Sequence, residues 1–365
     1  MKKFKVNIIF AFALLAALAH SCTKDPETSL VPDVETPDAP YTLNTAGFPT
    51  PNIATDNPLT REGVKLGRML FYEKGLSRTG TQACASCHIQ QFAFNDTARF
   101  SLGVNGMRGH RNAMSVFNMA WNSNEFFWDG RTHLLRHQSL KPIQDGLEMD
   151  ETLANVVTKL QANNLYPNQF RRAFGSTKID TLLISKALEQ FMNSIVSNNS
   201  KYDEFLAGKT TLTAQEERGR FLFFTEYNPA FPNESGADCQ HCHGGSNFEN
   251  DKYMNNGLDD DANIADIGRQ KVTRNAADKA KFKVVSLRNV ALTAPYMHDG
   301  RFSTLAEVVE HYNLVKNSAT LDPSFAQQLP VGLQLTADDK IALVAFLNTL
   351  TDYKLTTNAE YKNPF

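Results

Sequence analysis

The sequence carries no apolar run long enough to cross a bilayer, no surplus of basic residues and no sustained alternation of apolar and polar positions. The first absence excludes a multi-span membrane protein, since a spanning helix needs about 20 consecutive apolar residues. The longest run, Val6 to Ala19, is too short and wrongly flanked. The second argues against a nucleic-acid partner, which wants a basic face: 37 Lys and Arg stand against 39 Asp and Glu, for a formal charge of −2. The third argues against a large sheet, so the expected fold is mainly α with little β structure. Cysteine is scarce as well, with five in all: Cys22, Cys84, Cys87, Cys239 and Cys242.

What is present is an ordinary globular composition, 42% apolar and 21% charged, in a chain of 365 residues that can form two domains. Lys2, Lys3 and Lys5 precede the apolar run, which ends at Ala19-His20-Ser21-Cys22. This pattern reads as a secretory signal and resembles a bacterial lipoprotein signal, in which the cysteine is lipidated. The expectation is therefore a signal peptide over 1–21 and a lipid on Cys22, which makes the product an exported periplasmic or cell-envelope lipoprotein. Ordinary cleavage leaving Cys22 as a free thiol is the alternative. Residues 22–57 are rich in Pro, Thr, Asp and Asn without apolar periodicity, and read as a flexible tether to a membrane.

Helical patterning begins at Thr60 to Tyr72, with Val64, Leu66, Met69 and Leu70 as its stripe. Gly67-Arg68-Met69-Leu70-Phe71 is echoed 152 residues later by Gly219-Arg220-Phe221-Leu222-Phe223. The histidines of two Cys-x-x-Cys-His motifs, His88 and His243, lie 155 residues apart. Two unrelated features recurring at nearly one offset predict a duplicated domain, with halves over 58–208 and 209–365. Thr213 and Glu216 form a capping-box pattern. A helix is expected over 179–206, and a final one over 336–349 with Ile341, Val344 and Leu347 on one face.

Cys84-Ala-Ser-Cys87-His88 and Cys239-Gln-His-Cys242-His243 match the c-type haem attachment signature. Two thiols about one helical turn apart reach the two vinyl groups of one haem, and the adjacent histidine lies beneath the iron. A zinc site would gather its ligands in one place, which two pairs in separate repeats do not favour. Two covalent haem c groups are expected, with His88 on the first iron and His243 on the second. Whether such a protein is an enzyme turns on what faces each iron from the other side.

Between the motifs lie Gly109-His110-Arg111-Asn112, Phe127-Trp128-Asp129-Gly130-Arg131, Gln138 and Glu148; after the second come Leu287-Arg288-Asn289-Val290 and Thr293-Ala294-Pro295-Tyr296-Met297-His298-Asp299-Gly300. Together these closely resemble the bacterial dihaem cytochrome c peroxidase/MauG family, over roughly Leu59 to Asp352. The resemblance implies two cytochrome-c-like haem domains and roles for matching positions. Trp128 matches the tryptophan that relays electrons between the haems. Gln138 and Glu148, ten and twenty residues beyond it, match the distal pair of the peroxidatic haem, where a carboxylate can move the proton of bound peroxide. Asn112, Thr293 and Pro295 match ligands of one calcium ion.

Two departures shape the reading. After Ser101-Leu102-Gly103, where many family members carry a haem-capping histidine, stands Val104, so the first haem is expected to be open; Met107 and His110 are rivals for its iron. Fourteen residues beyond His298, where a methionine often serves the second haem, stands Tyr312, with Met297 and His311 as rivals. The resemblance thus implies a peroxidase that reduces hydrogen peroxide to water at the N-terminal haem, with electrons entering through the C-terminal haem from a small cytochrome c or cupredoxin. A MauG-like enzyme oxidising Trp or Tyr side chains of a partner protein is the alternative within the family. A non-catalytic dihaem electron carrier or redox sensor is the alternative outside enzymology, and it would have no use for Gln138 and Glu148 at their spacing.

Overall fold

The computed structural model describes residues 39–365 except residue 233, so the signal segment and Cys22 lie outside the described residues. The chain is helical: α1 (Arg61–Tyr72), α2 (Leu135–Ser139), α3 (Lys141–Gln144), α4 (Leu153–Ala162), α5 (Leu165–Phe174), α6 (Thr181–Ser194), α7 (Lys201–Leu206), α8 (Ala214–Phe224), α9 (Gln270–Thr273), α10 (Leu305–Asn313) and α11 (Ala337–Thr349). Sheet among the described residues is a single antiparallel pair, β1 (Tyr253–Met254) with β2 (Phe282–Lys283). No described helix is long and apolar enough to cross a membrane.

The helix starts follow their caps. The Thr60 hydroxyl accepts from Gly63 N at 3.1 Å and opens α1. Reciprocal Thr–acid capping boxes open α8 (Thr213, Glu216) and α11 (Thr336, Asp339), each satisfying amides that have no partner inside the helix. The helix expected over 179–206 is broken: α6 ends at Ser194 and α7 begins at Lys201. Between them the backbone amides turn outward: Ser197 N donates to Asn118 Oδ1 at 2.8 Å, and Asn198 N and Asn199 N donate to Asp352 Oδ2 at 3.2 and 3.1 Å. Ser200 then caps α7 in a box with Asp203. In α11 the buried face is Ala342, Leu343, Phe346 and Leu347, while Ile341 is 53% exposed. Of the expected stripe, Leu347 is buried and Val344 packs half-buried on the cluster, so only Ile341 is misplaced, on a helix apolar on two sides.

Two apolar clusters result, each built on a helix pair in which a glycine lets backbones touch. In the first, α1 packs on α6. A Cβ on Gly67 would collide with the Ala187 carbonyl oxygen, and one turn on Phe71 meets Phe191 edge-on at 5.2 Å. In the second, α8 packs on α11. A Cβ on Gly219 would collide with the Ala342 carbonyl oxygen, and Phe223 meets Phe346 at 5.2 Å. Such ring pairs contribute about 0.5–1.5 kcal/mol each beyond their buried area.

Two expected boundaries shift. Residues 39–57 are not a tether: Trp121 Nε1 donates to Pro49 O at 2.8 Å, its ring lies 4.4 Å from that of Phe48, and Tyr41 N bonds to Leu59 O at 3.0 Å. Proline-rich composition resembles a linker, but this stretch spends its backbone groups on the body. Likewise the second half does not keep all of 209–365, because Leu355 and Tyr361 are buried in the first cluster. There the Tyr361 hydroxyl donates to Ser194 O at 3.0 Å.

Candidate functional site

Each haem-attachment motif folds as one 3-10 turn, Cys84–Ser86 and Cys239–His241, which puts its two cysteines a turn apart. All four thiols are free and half-buried, and burial pushes Cys84, Cys239 and Cys242 up to about 12. The histidines are oriented alike. His88 Nδ1 lies 3.1 Å from Phe94 O, and His243 Nδ1 lies 3.2 Å from Phe248 O and 3.1 Å from Val285 O. A carbonyl accepts only from N–H, so the proton is on Nδ1 and Nε2 is left as a free donor to a metal. Burial lowers the pKa of both rings, His243 to about 4, which keeps them neutral as ligation requires.

Both motifs open onto one cavity of about 640 Å³, bordered by Cys87 and His88 from one half and by Cys239, Cys242 and His243 from the other. Free thiols, neutral imidazoles with Nε2 available and a large, mostly apolar space fit covalent haem in both halves.

Trp128, Gln138 and Glu148 all border this cavity. Trp128 Nε1 donates to Asn112 O at 2.8 Å, and its own carbonyl accepts from Lys283 N at 2.8 Å. Gln138 projects from α2. Glu148 follows α3 and is half-buried; burial first, then the neighbouring Asp145 charge, raise its pKa to about 7, against the pull of Arg131. Its backbone oxygen takes Val104 N at 2.8 Å, and a Cβ on Gly103 would collide with Leu147 O, so the 101–104 loop lies directly on this segment. Val104 and Met107 do not border the cavity, whereas His110 does.

Asn112, Thr293 and Pro295 reach the same wall. Asn95, which sequence did not single out, joins them: its amide nitrogen donates to Thr293 O at 2.9 Å, and its buried Oδ1 has no hydrogen-bond partner. The unpaired Asn95 Oδ1 beside Thr293 is a neutral oxygen of the kind a hard cation takes. No group of three or more His, Cys, Asp or Glu side chains that could hold a metal occurs among the described residues.

At the other end, Tyr312 and Met297 border the cavity, and His311 does not. Asn256, also unforeseen, donates to Tyr312 Oη at 3.1 Å and to Met297 Sδ at 3.5 Å, and its carbonyl lies 3.1 Å from His311 Nε2. Burial raises the Tyr312 pKa to about 12, partly offset by the Asn256 hydrogen bond. His298 is buried and stacks face to face on Phe282 at 3.6 Å. His133 and His137 are exposed.

Comparison with known proteins gives the family. The family described as di-haem cytochrome c peroxidase matches residues 61–211. A methylamine utilization protein MauG from Methylophilus methylotrophus is 32% identical over 80% of this chain and 84% of its own. A cytochrome c551 peroxidase from Nitrosomonas europaea is 32% identical over 85% of this chain and 87% of its own. Among solved structures, a MauG-like protein associated with microbial copper homeostasis superposes with a TM-score of 0.79 at 33% identity, covering 87% of this chain and 97% of that one. Similarity of this depth along most of its length, with two haem-attachment motifs facing one cavity, makes the chain a member of the di-haem cytochrome c peroxidase/MauG family.

Proposed function

We propose that the chain is a dihaem c-type peroxidase that reduces hydrogen peroxide to water at the N-terminal haem, with electrons entering through the C-terminal haem and Trp128. One peroxide, two electrons and two protons give two waters. Haem iron supplies the binding and reductive cleavage of peroxide and the one-electron storage; the chain supplies ligation, access and protons. His88 and His243 would hold the irons through Nε2, and Tyr312, held by Asn256, would be a further donor to the second. With Val104 after the 101–103 turn, that loop position would offer the first haem no ligand.

The observation that carries this reading is Glu148: a half-buried carboxyl on the cavity wall with a pKa of about 7. A group poised there can take a proton from one peroxide oxygen and return it to the leaving oxygen. Gln138, which borders the same cavity, would orient the peroxide. Asn112, Thr293 and Pro295, with Asn95, would supply neutral oxygens to a calcium ion.

The matched Gly67–Phe71 and Gly219–Phe223 crossings, together with the alike His88 and His243 turns, support two cytochrome-c-like halves related by duplication, the first taking in residues 39–57 and the C-terminal 355–361 as well. Export with a lipid at Cys22 would place them at the cell envelope.

The test is stopped-flow mixing of peroxide with the diferric holoprotein and a reduced small cytochrome c or cupredoxin. Two donors oxidised per peroxide is the expected result. Peroxide consumed without donor oxidation, but with oxidation of Trp or Tyr in a partner protein, would replace this reading by the MauG-like one.

A further inference from the structure

Met254 borders the cavity, whereas Tyr253, its neighbour on β1, does not. Alternation along the strand turns Tyr253 to the outer side. It pairs across β1–β2 with Lys283, whose amide in turn donates to Trp128 O at 2.8 Å. Tyr253 is thus two strand spacings from Trp128, roughly 10 Å between backbones. Its hydroxyl is pressed against the turn that carries Trp128, because a Cβ on Gly130 would collide with Tyr253 Oη. The hydroxyl donates to Glu125 Oε2 at 3.2 Å, and the Arg269 guanidinium lies 3.9 Å above the ring centre, itself anchored on Asp129 O at 3.0 Å. Glu125 is partly exposed, at 25%. Against the effect of burial, a backbone amide and Arg269 hold its carboxyl below the ordinary value, so it is ionised and able to accept a proton.

We infer that Tyr253 is a redox-active residue: the outer station of an electron relay whose inner station is Trp128, with Glu125 as its proton acceptor. The inference rests on the proposed peroxidase reading, in which peroxide is the oxidant. In the step, the one-electron-oxidised indole of Trp128 takes an electron from Tyr253. The phenolic O–H breaks and its proton passes to Glu125 Oε2, leaving a neutral tyrosyl radical and a neutral carboxylic acid. As a second route of entry beside the C-terminal haem, an external donor, small protein or side chain, then returns one electron to Tyr253, and Glu125 returns the proton. Arg269 fixes the ring over the turn and favours the ionised Glu125 at the start.

The test uses the diferric holoprotein, mixed with excess peroxide without donor and frozen for EPR. A tyrosyl radical is expected; it narrows when the protein is grown on ring-deuterated tyrosine and is lost in Tyr253→Phe, which keeps the ring packed under Arg269. Glu125→Gln is expected to slow its appearance. A tyrosyl signal unchanged in Tyr253→Phe, or peroxide consumption with no tyrosyl signal in the wild type, overturns the relay and leaves the peroxidase reading standing. Should Tyr253→Phe fail to load haem, Glu125→Gln and the deuterated wild type still decide. Failure of the holoprotein to consume peroxide overturns both.

Discussion

Replacing Glu148 by Gln keeps the size of the side chain and removes its ability to take a proton. With a pKa of about 7, roughly a tenth of Glu148 is ionised at pH 6, about half at pH 7 and roughly nine tenths at pH 8. A step that needs the carboxylate therefore rises about ninefold across that range. Burial raises the midpoint most, and two neighbours adjust it: Asp145 raises it further and Arg131 lowers it. Asp145→Asn should move the profile to lower pH and Arg131→Gln to higher pH, opposite displacements that burial alone cannot produce. At the plateau, Glu148→Gln should cost about 10²–10⁴ in the rate, the usual size of a lost acid–base group. The assay is the initial rate of peroxide loss by stopped flow, with haem content measured on the same samples. A flat profile between pH 6 and 8, with Glu148→Gln as fast as the wild type, would refute the role.

Cys84→Ala with Cys87→Ala should leave one covalent haem instead of two, read from the mass of the intact protein and from its pyridine haemochrome. Gly67→Ala should destabilise the protein although alanine favours a helix by about 1 kcal/mol. The new methyl meets the Ala187 carbonyl, which cannot rotate away, and overpacking of about 1–3 kcal/mol outweighs that gain; a higher denaturation midpoint would contradict it. Tyr312→Phe should remove the phenol ligand and raise the reduction potential of the second haem, followed by spectroelectrochemistry; an unchanged potential and EPR spectrum would exclude Tyr312 as its ligand.

The features legible in the sequence are those whose physics is local. A Cys-x-x-Cys-His turn, a Thr capped three residues on, and a glycine-led helix echoed at one offset each depend on neighbours within a few positions. The misread parts depend on distant partners. The polar run 197–200 ends α6 because its backbone is used elsewhere: Ser197 N bonds to Asn118 Oδ1 at 2.8 Å. The face of α11 could not be chosen from a helix that is apolar on two sides. Asn95 and Asn256 carry no motif; their interest comes from Thr293 and Tyr312, which lie far along the chain. Residues 39–57 have a linker's composition and a body's contacts.

The return of residues 355–361 to the first cluster has a consequence in time. Gln90 Nε2 donates to Leu355 O at 3.0 Å and Asn358 O at 2.8 Å, Arg68 Nη1 donates to Glu360 O at 2.7 Å, and Val196 N donates to Tyr361 Oη at 3.2 Å. These partners are synthesised after the whole of the second half. During synthesis, the segment around Cys84 must wait, its packing unfinished, until the later segment arrives. The two halves are therefore not modules that mature one after the other, and the first is sealed only when the second is complete.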